Sequence, residues 1–131
     1  MIGLDTNVLV RYLTQDDPAQ SKKATRILET EAAQGNSFFL TSIVMCELVW
    51  VLGEAYGYSR SETLTALERI LRTAQFEFED KDQLWQALVD YRGGKADFSD
   101  YLIGRLGKQS GCEKTLTFDK DLRNTRLFRV L

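Results

Sequence analysis

Short apolar runs separated by helix-length segments predict an α/β fold, a three-layer α/β/α sandwich with a mostly parallel central sheet. Three observations carry this. The runs at 1–4 and 38–40 are short and apolar throughout, as in strands covered on both faces, and 115–118 adds a third short strand. The segments between them are long enough for helical crossovers. A chain of 131 residues with 44% apolar content can bury one core, so residues 1–131 are read as a single domain.

Residues 1–4 read as a buried strand and 7–13 as a short helix. Asp17-Pro18 then starts a helix, because Asp17 can cap it and Pro18 suits its first position. That helix runs to about Gln34 and stops at Gly35-Asn36. Phe38–Leu40 is a short strand. Ser42 begins a helix with Ile43, Val44, Glu47, Leu48, Val51 and Leu52 along one stripe, ending between Gly53 and Gly57. Ser59 to Glu62 fits a capping box, with Leu64, Leu67, Ile70 and Leu71 on the face that follows. Phe76 and Phe78 alternate with Glu77 and Glu79 as a strand. Asp80 or Asp82 starts a helix carrying Leu84, Trp85, Leu88 and Tyr91, and Gly93–Ala96 is a loop. Asp97–Asp100 leads into a helix that ends at Gly111. Thr115–Phe118 and Leu127–Leu131 are the last strands.

No apolar run approaches the length of a membrane span, and no basic segment precedes a long apolar stretch at the N-terminus. Cys46 and Cys112 have neither metal-ligand spacing nor a disulfide framework, which fits two buried or free thiols in a reducing cytoplasm. The formal net charge of −2 excludes a basic nucleic-acid coat. With four of the 19 acids set aside for a metal site, however, the 17 Lys and Arg outnumber the rest. The cations also clump: Lys22-Lys23 with Arg26, Arg92 with Lys95, Arg105 with Lys108, and Arg123 with Arg126 and Arg129. Each clump taken singly reads as a solvated face, yet such patches beside a neutralised acidic pocket suit a phosphodiester backbone.

The chain has no histidine, so hydrolysis here excludes an imidazole base, a Ser-His-Asp triad and histidine-ligated zinc. Carboxylates remain, and four stand at awkward places. Asp5 follows the first strand, Glu47 lies in an apolar helical stripe, Asp100 enters the first turn of a helix, and Asp119 follows the 115–118 strand. In open α/β sheets ligands bind beyond the carboxyl ends of the strands. Carboxylates at close range raise one another's pKa, and a hard cation such as Mg²⁺ or Mn²⁺ relieves that repulsion. A cation so held can activate water and polarise a phosphoryl group. Each acid also has a plainer reading. Asp5 and Asp97 are good helix caps, Asp100 complements a helix dipole, Glu47 is a paired or snorkelling acid, and Asp119 and Asp121 are turn residues.

Four segments in order, Ile2–Leu9, Thr41–Leu48, Asp97–Gly104 and Thr115–Leu122, resemble the PIN-domain ribonucleases, and within them the VapC-type toxins. The resemblance covers essentially the whole chain. It implies a metal-dependent endoribonuclease with Asp5, Glu47, Asp100 and Asp119 as the acidic set, Asp5 and Asp100 being the principal ligands of Mg²⁺ or Mn²⁺. Thr6, Asn7 and Asp97 would be accessory: Thr6 orienting Asp5, Asn7 bracing the pocket. Glycines at 104 and 107 stand where alanines are more usual, which weakens that helix. The same resemblance implies an RNA substrate, a homodimer, a small VapB-like antitoxin and a cytoplasmic location. The apolar residues Val49, Trp50, Leu52, Tyr56 and Tyr58 would then line an antitoxin groove or a dimer contact, or serve as core.

Other readings stay open at this point. A haloacid-dehalogenase-like phosphatase also carries an aspartate after its first strand, but needs a second acid where this chain has Asn7. An RNA-processing nuclease without an antitoxin, and a non-catalytic RNA-binding module, are the remaining alternatives.

Overall fold

The computed structural model describes residues 1–131 and has the expected α/β class, with six helices and every strand pairing parallel. The strands pair as a three-stranded and a two-stranded sheet, in two compact units, Met1–Asp80 and Lys81–Leu131. No helix is long and apolar enough to cross a membrane.

The first unit runs β1 (Ile2–Gly3), α1 (Thr6–Thr14), α2 (Pro18–Ala33), β2 (Phe38–Leu40), α3 (Ser42–Glu54), α4 (Arg60–Leu71) and β3 (Phe76–Phe78). Its sheet order is β1-β2-β3. The middle strand buries Phe38 and Leu40, and the Phe38 and Phe76 rings meet edge to face at 6.3 Å. The opening strand departs from its expected burial. Met1, Ile2 and Gly3 are exposed and only Leu4 is buried, because β1 is two residues long and lies at the edge of its sheet order.

Local chemistry sets the helix ends. The Asp17 carboxylate accepts from the Gln20 N–H at 3.0 Å, and Pro18 takes the first position of α2. Gly35, at φ +85°, carries the chain out of α2 through a conformation that side chains rarely adopt. Thr41 caps α3 through the Val44 N–H, and Ser59 and Glu62 complete the capping box of α4 in both directions.

The stripe expected on α3 is turned. Its buried face is Val44, Met45, Leu48 and Leu52, whereas Ile43 and Trp50 are 71% and 68% exposed. Glu47 lies on that same open face, one turn from each. The reason is compositional: α3 is apolar around most of its circumference, so periodicity marks no unique inner face. The apolar set read around Trp50 is divided accordingly. Leu52 is core, Val49 and Tyr58 are half-buried, Trp50 is open, and the Tyr56 hydroxyl joins a polar cluster with Arg11 and Asp16.

The second unit comprises α5 (Lys81–Gly93), α6 (Phe98–Gln109), β4 (Thr115–Thr117), a 3-10 turn (Lys120–Leu122) and β5 (Phe128–Val130), with β4 and β5 parallel. Helix α5 includes Gly93, so the expected loop begins one residue later, and β4 stops before the exposed Phe118. Helices α5 and α6 pack on each other, with Tyr91 and Phe98 edge to face at 6.0 Å. The glycines of α6 have a packing role that helix propensity alone does not show. A Cβ on Gly104 would stand 2.5 Å from the Phe128 ring and one on Gly107 2.8 Å from the Thr115 hydroxyl, so both let α6 approach the sheet closely.

Candidate active site

In the first unit Asp5 is the residue that caps α1. Its Oδ1 accepts from the Thr6 N–H at 2.8 Å, and its carbonyl accepts from the Val8 and Leu9 N–H groups. The carboxylate is therefore held at the start of a helix, immediately beyond β1, where aligned N–H dipoles favour negative charge. Thr6 is buried and points across to α3. Its hydroxyl donates to Glu47 Oε1 at 3.3 Å, so one residue fixes Asp5 through its backbone and Glu47 through its side chain. Glu47 itself is exposed. Asn7 is exposed too, on the wall of an apolar groove between α1 and α2.

In the second unit Asp97 and Asp100 open α6. The Asp97 N–H donates to Asp100 Oδ2 at 3.2 Å, so the Asp100 carboxylate itself tightens the helix start. Burial pushes the Asp100 carboxyl above the usual carboxylate range; the Asp97 N–H pulls it down, and the charges of Asp97 and Asp119 push it further up. Asp119 caps the 3-10 turn, accepting from the Asp121 N–H at 2.9 Å while its own N–H bonds the Thr117 hydroxyl. The plainer readings, Asp5 as a helix cap and Asp119 as a turn residue, thus hold alongside their positions beyond the ends of β1 and β4.

The structure brings Asp5, Thr6 and Glu47 together in one unit, and Asp97, Asp100 and Asp119 into electrostatic contact in the other. No group of three or more His, Cys, Asp or Glu side chains stands at ion-binding range. The donor chemistry nonetheless fits a hard divalent cation: every candidate ligand is a carboxylate, and Asp100 carries a charge that burial and its neighbours disfavour. The cysteines fit a soft-metal site poorly, since Cys46 is half-buried with its thiol pushed up by burial and Cys112 is exposed.

Glu79 escaped the sequence reading. It follows β3, and its Oε1 accepts from the Ser42 N–H at 3.0 Å, at the first residue of α3. The sequence signal was an acid directly after the alternating run Phe76–Phe78, the same placement that drew attention to Asp5. The Ser42 hydroxyl beside it is buried without a hydrogen-bond partner.

Comparison with known proteins gives two findings. A family model described as PIN domain matches residues 2–127. A VapC ribonuclease of Aquifex aeolicus (strain VF5) is 26% identical over 117 residues, which is 89% of this chain and 86% of that protein.

Proposed function

We propose that this chain, which belongs to the PIN domain family, is a divalent-metal-dependent endoribonuclease, one nuclease domain that acts as the toxin of a type II toxin–antitoxin pair. The observation that carries the nuclease reading is a histidine-free set of carboxylates beyond strand ends and at helix starts, with Asp100 held up by burial and by the charges of Asp97 and Asp119. The similarity to a protein named as a VapC ribonuclease supports RNA as substrate and a small antitoxin as partner. A homodimer in the cytoplasm completes the reading.

In this mechanism Asp5, Glu47, Asp100 and Asp119 would hold Mg²⁺ or Mn²⁺, with Asp5 and Asp100 as the principal ligands. When bound, the cation would polarise the scissile phosphate and make water acidic enough to attack near neutral pH. The chain's own groups do the positioning. The Thr6 N–H aims Asp5 and the Thr6 hydroxyl aims Glu47, so two carboxylates are ordered by one buried residue. The Asp97 N–H orders Asp100 in the same manner. Asp97 and Asn7 are accessory, the first through this bond and through its charge.

Purified protein incubated with a pool of structured RNAs in Mg²⁺, Mn²⁺ or EDTA, beside Asp5→Ala, tests the proposal. Metal-dependent cutting that the variant loses is expected, with 5′-phosphate and 3′-hydroxyl ends. Ends bearing a 2′,3′-cyclic phosphate would overturn it, because they report attack by the ribose hydroxyl. Co-purification of the folded chain with the product of an adjoining antitoxin-sized reading frame tests the toxin role.

A further inference from the structure

The second unit holds a cavity of about 780 Å³ whose walls come from the end of α5, the loop after it, α6, and the segment from the 3-10 turn to β5. That volume lies within the roughly 300–1,000 Å³ of small-ligand sites. Lys95, Lys108, Lys120, Arg123 and Arg126 line it, and none of the five makes an ion pair. A sixth cation, Arg105, is committed: its Nε and Nη2 grip both oxygens of Asp90 at 2.7 and 2.8 Å, and its Nη1 bonds Gln86. With Asp90 neutralised in this way, Asp121 is the one carboxylate left on the wall.

This is more than a solvated helix face. The five cations come from three separate stretches of chain, at Lys95, at Lys108 and from Lys120 to Arg126, and the fold turns all of them toward one concavity. Like charges so gathered repel, and a concave wall of one sign concentrates its field on an anion. The wall is also built closely. The Tyr101 hydroxyl accepts from the Ala96 N–H at 3.3 Å, and it lies where a Cβ on Gly94 would be, 1.8 Å away, so only glycine lets the loop close over it.

We infer that this cavity binds the phosphate backbone of single-stranded nucleic acid and holds the substrate beside the acids of the second unit. The inference rests on the nuclease reading for its purpose and on the cation geometry for its ligand. Two continuities favour a polynucleotide over a free small anion. Lys120 directly follows Asp119, and Lys108 shares α6 with Asp100, so a strand seated here runs along the elements that carry both acids. The walls are predominantly polar and offer cationic heads, which recognise backbone rather than base identity.

The experiment is fluorescence anisotropy of the full chain with a labelled 12-nucleotide single-stranded RNA in EDTA, across a salt series. Lys108→Ala/Arg126→Ala is compared with the wild type and with Lys22→Ala/Lys23→Ala, which alters cations outside the cavity. The cavity variant should weaken binding about tenfold or more, and the salt slope should fall by about 1.4 for two lost phosphate contacts on a single strand. The control pair should leave both unchanged. Circular dichroism establishes folding, and Lys108→Gln/Arg126→Gln substitutes if the alanine pair does not fold. Unchanged affinity and slope in the folded cavity variant would overturn the inference. So would tripolyphosphate binding that the variant loses while RNA binding persists, because the ligand would then be a small polyphosphate. Binding is read without metal, so failure to cut RNA would sink the nuclease reading alone, and loss of this inference would leave metal-dependent cutting in place.

Discussion

The two acidic halves of this chain are built on different physics. In the first unit the carboxylates are tethered: Asp5 caps α1 through the Thr6 N–H, and Glu47 receives the Thr6 hydroxyl. In the second unit they are crowded: Asp100 is partly buried under the charges of Asp97 and Asp119, and one N–H bond does not offset the cost. Tethering places a charge, whereas crowding creates a demand for a counter-charge. On the proposed function a bound cation would relieve the crowding around Asp100, whereas the tethered acids are ordered without one.

The largest expected effect breaks the comparison chemically while keeping its shapes. Asp5→Asn and Asp100→Asn should each lower RNA cleavage by about 10³-fold or more in saturating Mg²⁺, the scale on which removed electrostatic stabilisation acts. Their thermal melts should diverge. Asp100→Asn should raise the midpoint at neutral pH, and Asp5→Asn, which keeps the capping oxygen, should leave it near the wild-type value. The sign follows from Asp100's raised pKa. The stability it contributes is fully present below the ordinary carboxylate value and is lost as pH rises through the raised one, so a neutral side chain removes that loss. Midpoints that move together would erase the distinction between tethered and crowded acids.

A smaller effect tests the frame that holds the crowded half. Gly104→Ala should gain about 1 kcal/mol of helix propensity. It should lose about 1–3 kcal/mol to overlap with Phe128 and Leu127, giving net destabilisation in urea titrations. A more stable variant would mean that α6 can retreat from β5 without cost.

The smallest effect sharpens the tethered half. Asp16 accepts from the Tyr56 hydroxyl at 2.6 Å, from Thr14 at 2.8 Å and from Arg11 at 3.0 Å, and these bonds hold its carboxyl far below the usual range. Its stabilisation is present above the ordinary carboxylate pKa and fades as pH falls below that value, slightly, because the group is open to solvent. Tyr56→Phe should move the Asp16 carboxyl resonance upward in an NMR titration. An unmoved resonance would assign the depression to Arg11 and Thr14.

Much of the fold was legible because its punctuation is local. Asp17-Pro18, the Ser59–Glu62 box and Gly35 act through bonds to near neighbours, and each marks its helix end as read. Exposure was less legible. Ile2 reads as buried until its strand proves to be an edge of two residues, and Ile43 reads as core on a helix apolar nearly all round. For the candidate site, placement beyond strands or at helix starts singled out Asp5, Asp100 and Asp119, since chain order alone reports it. The role of Thr6 toward Glu47 was hidden, because that bond spans 41 positions. The cationic cavity was hidden for a like reason: its residues share no period, and the clumps at Lys95, Lys108 and Arg123 looked like separate surface features.

Helix α6 carries Asp100 in its first turn and Lys108 in its last. At a rise of 1.5 Å per residue the two positions are about 12 Å apart along a rigid axis. On the assignments proposed above, α6 is a ruler as well as a scaffold. It sets a minimum length of strand between the point of scission and the point of grip, and a fragment shorter than that span has nothing left to hold. Such an enzyme would release products too short to span it and cut them no further.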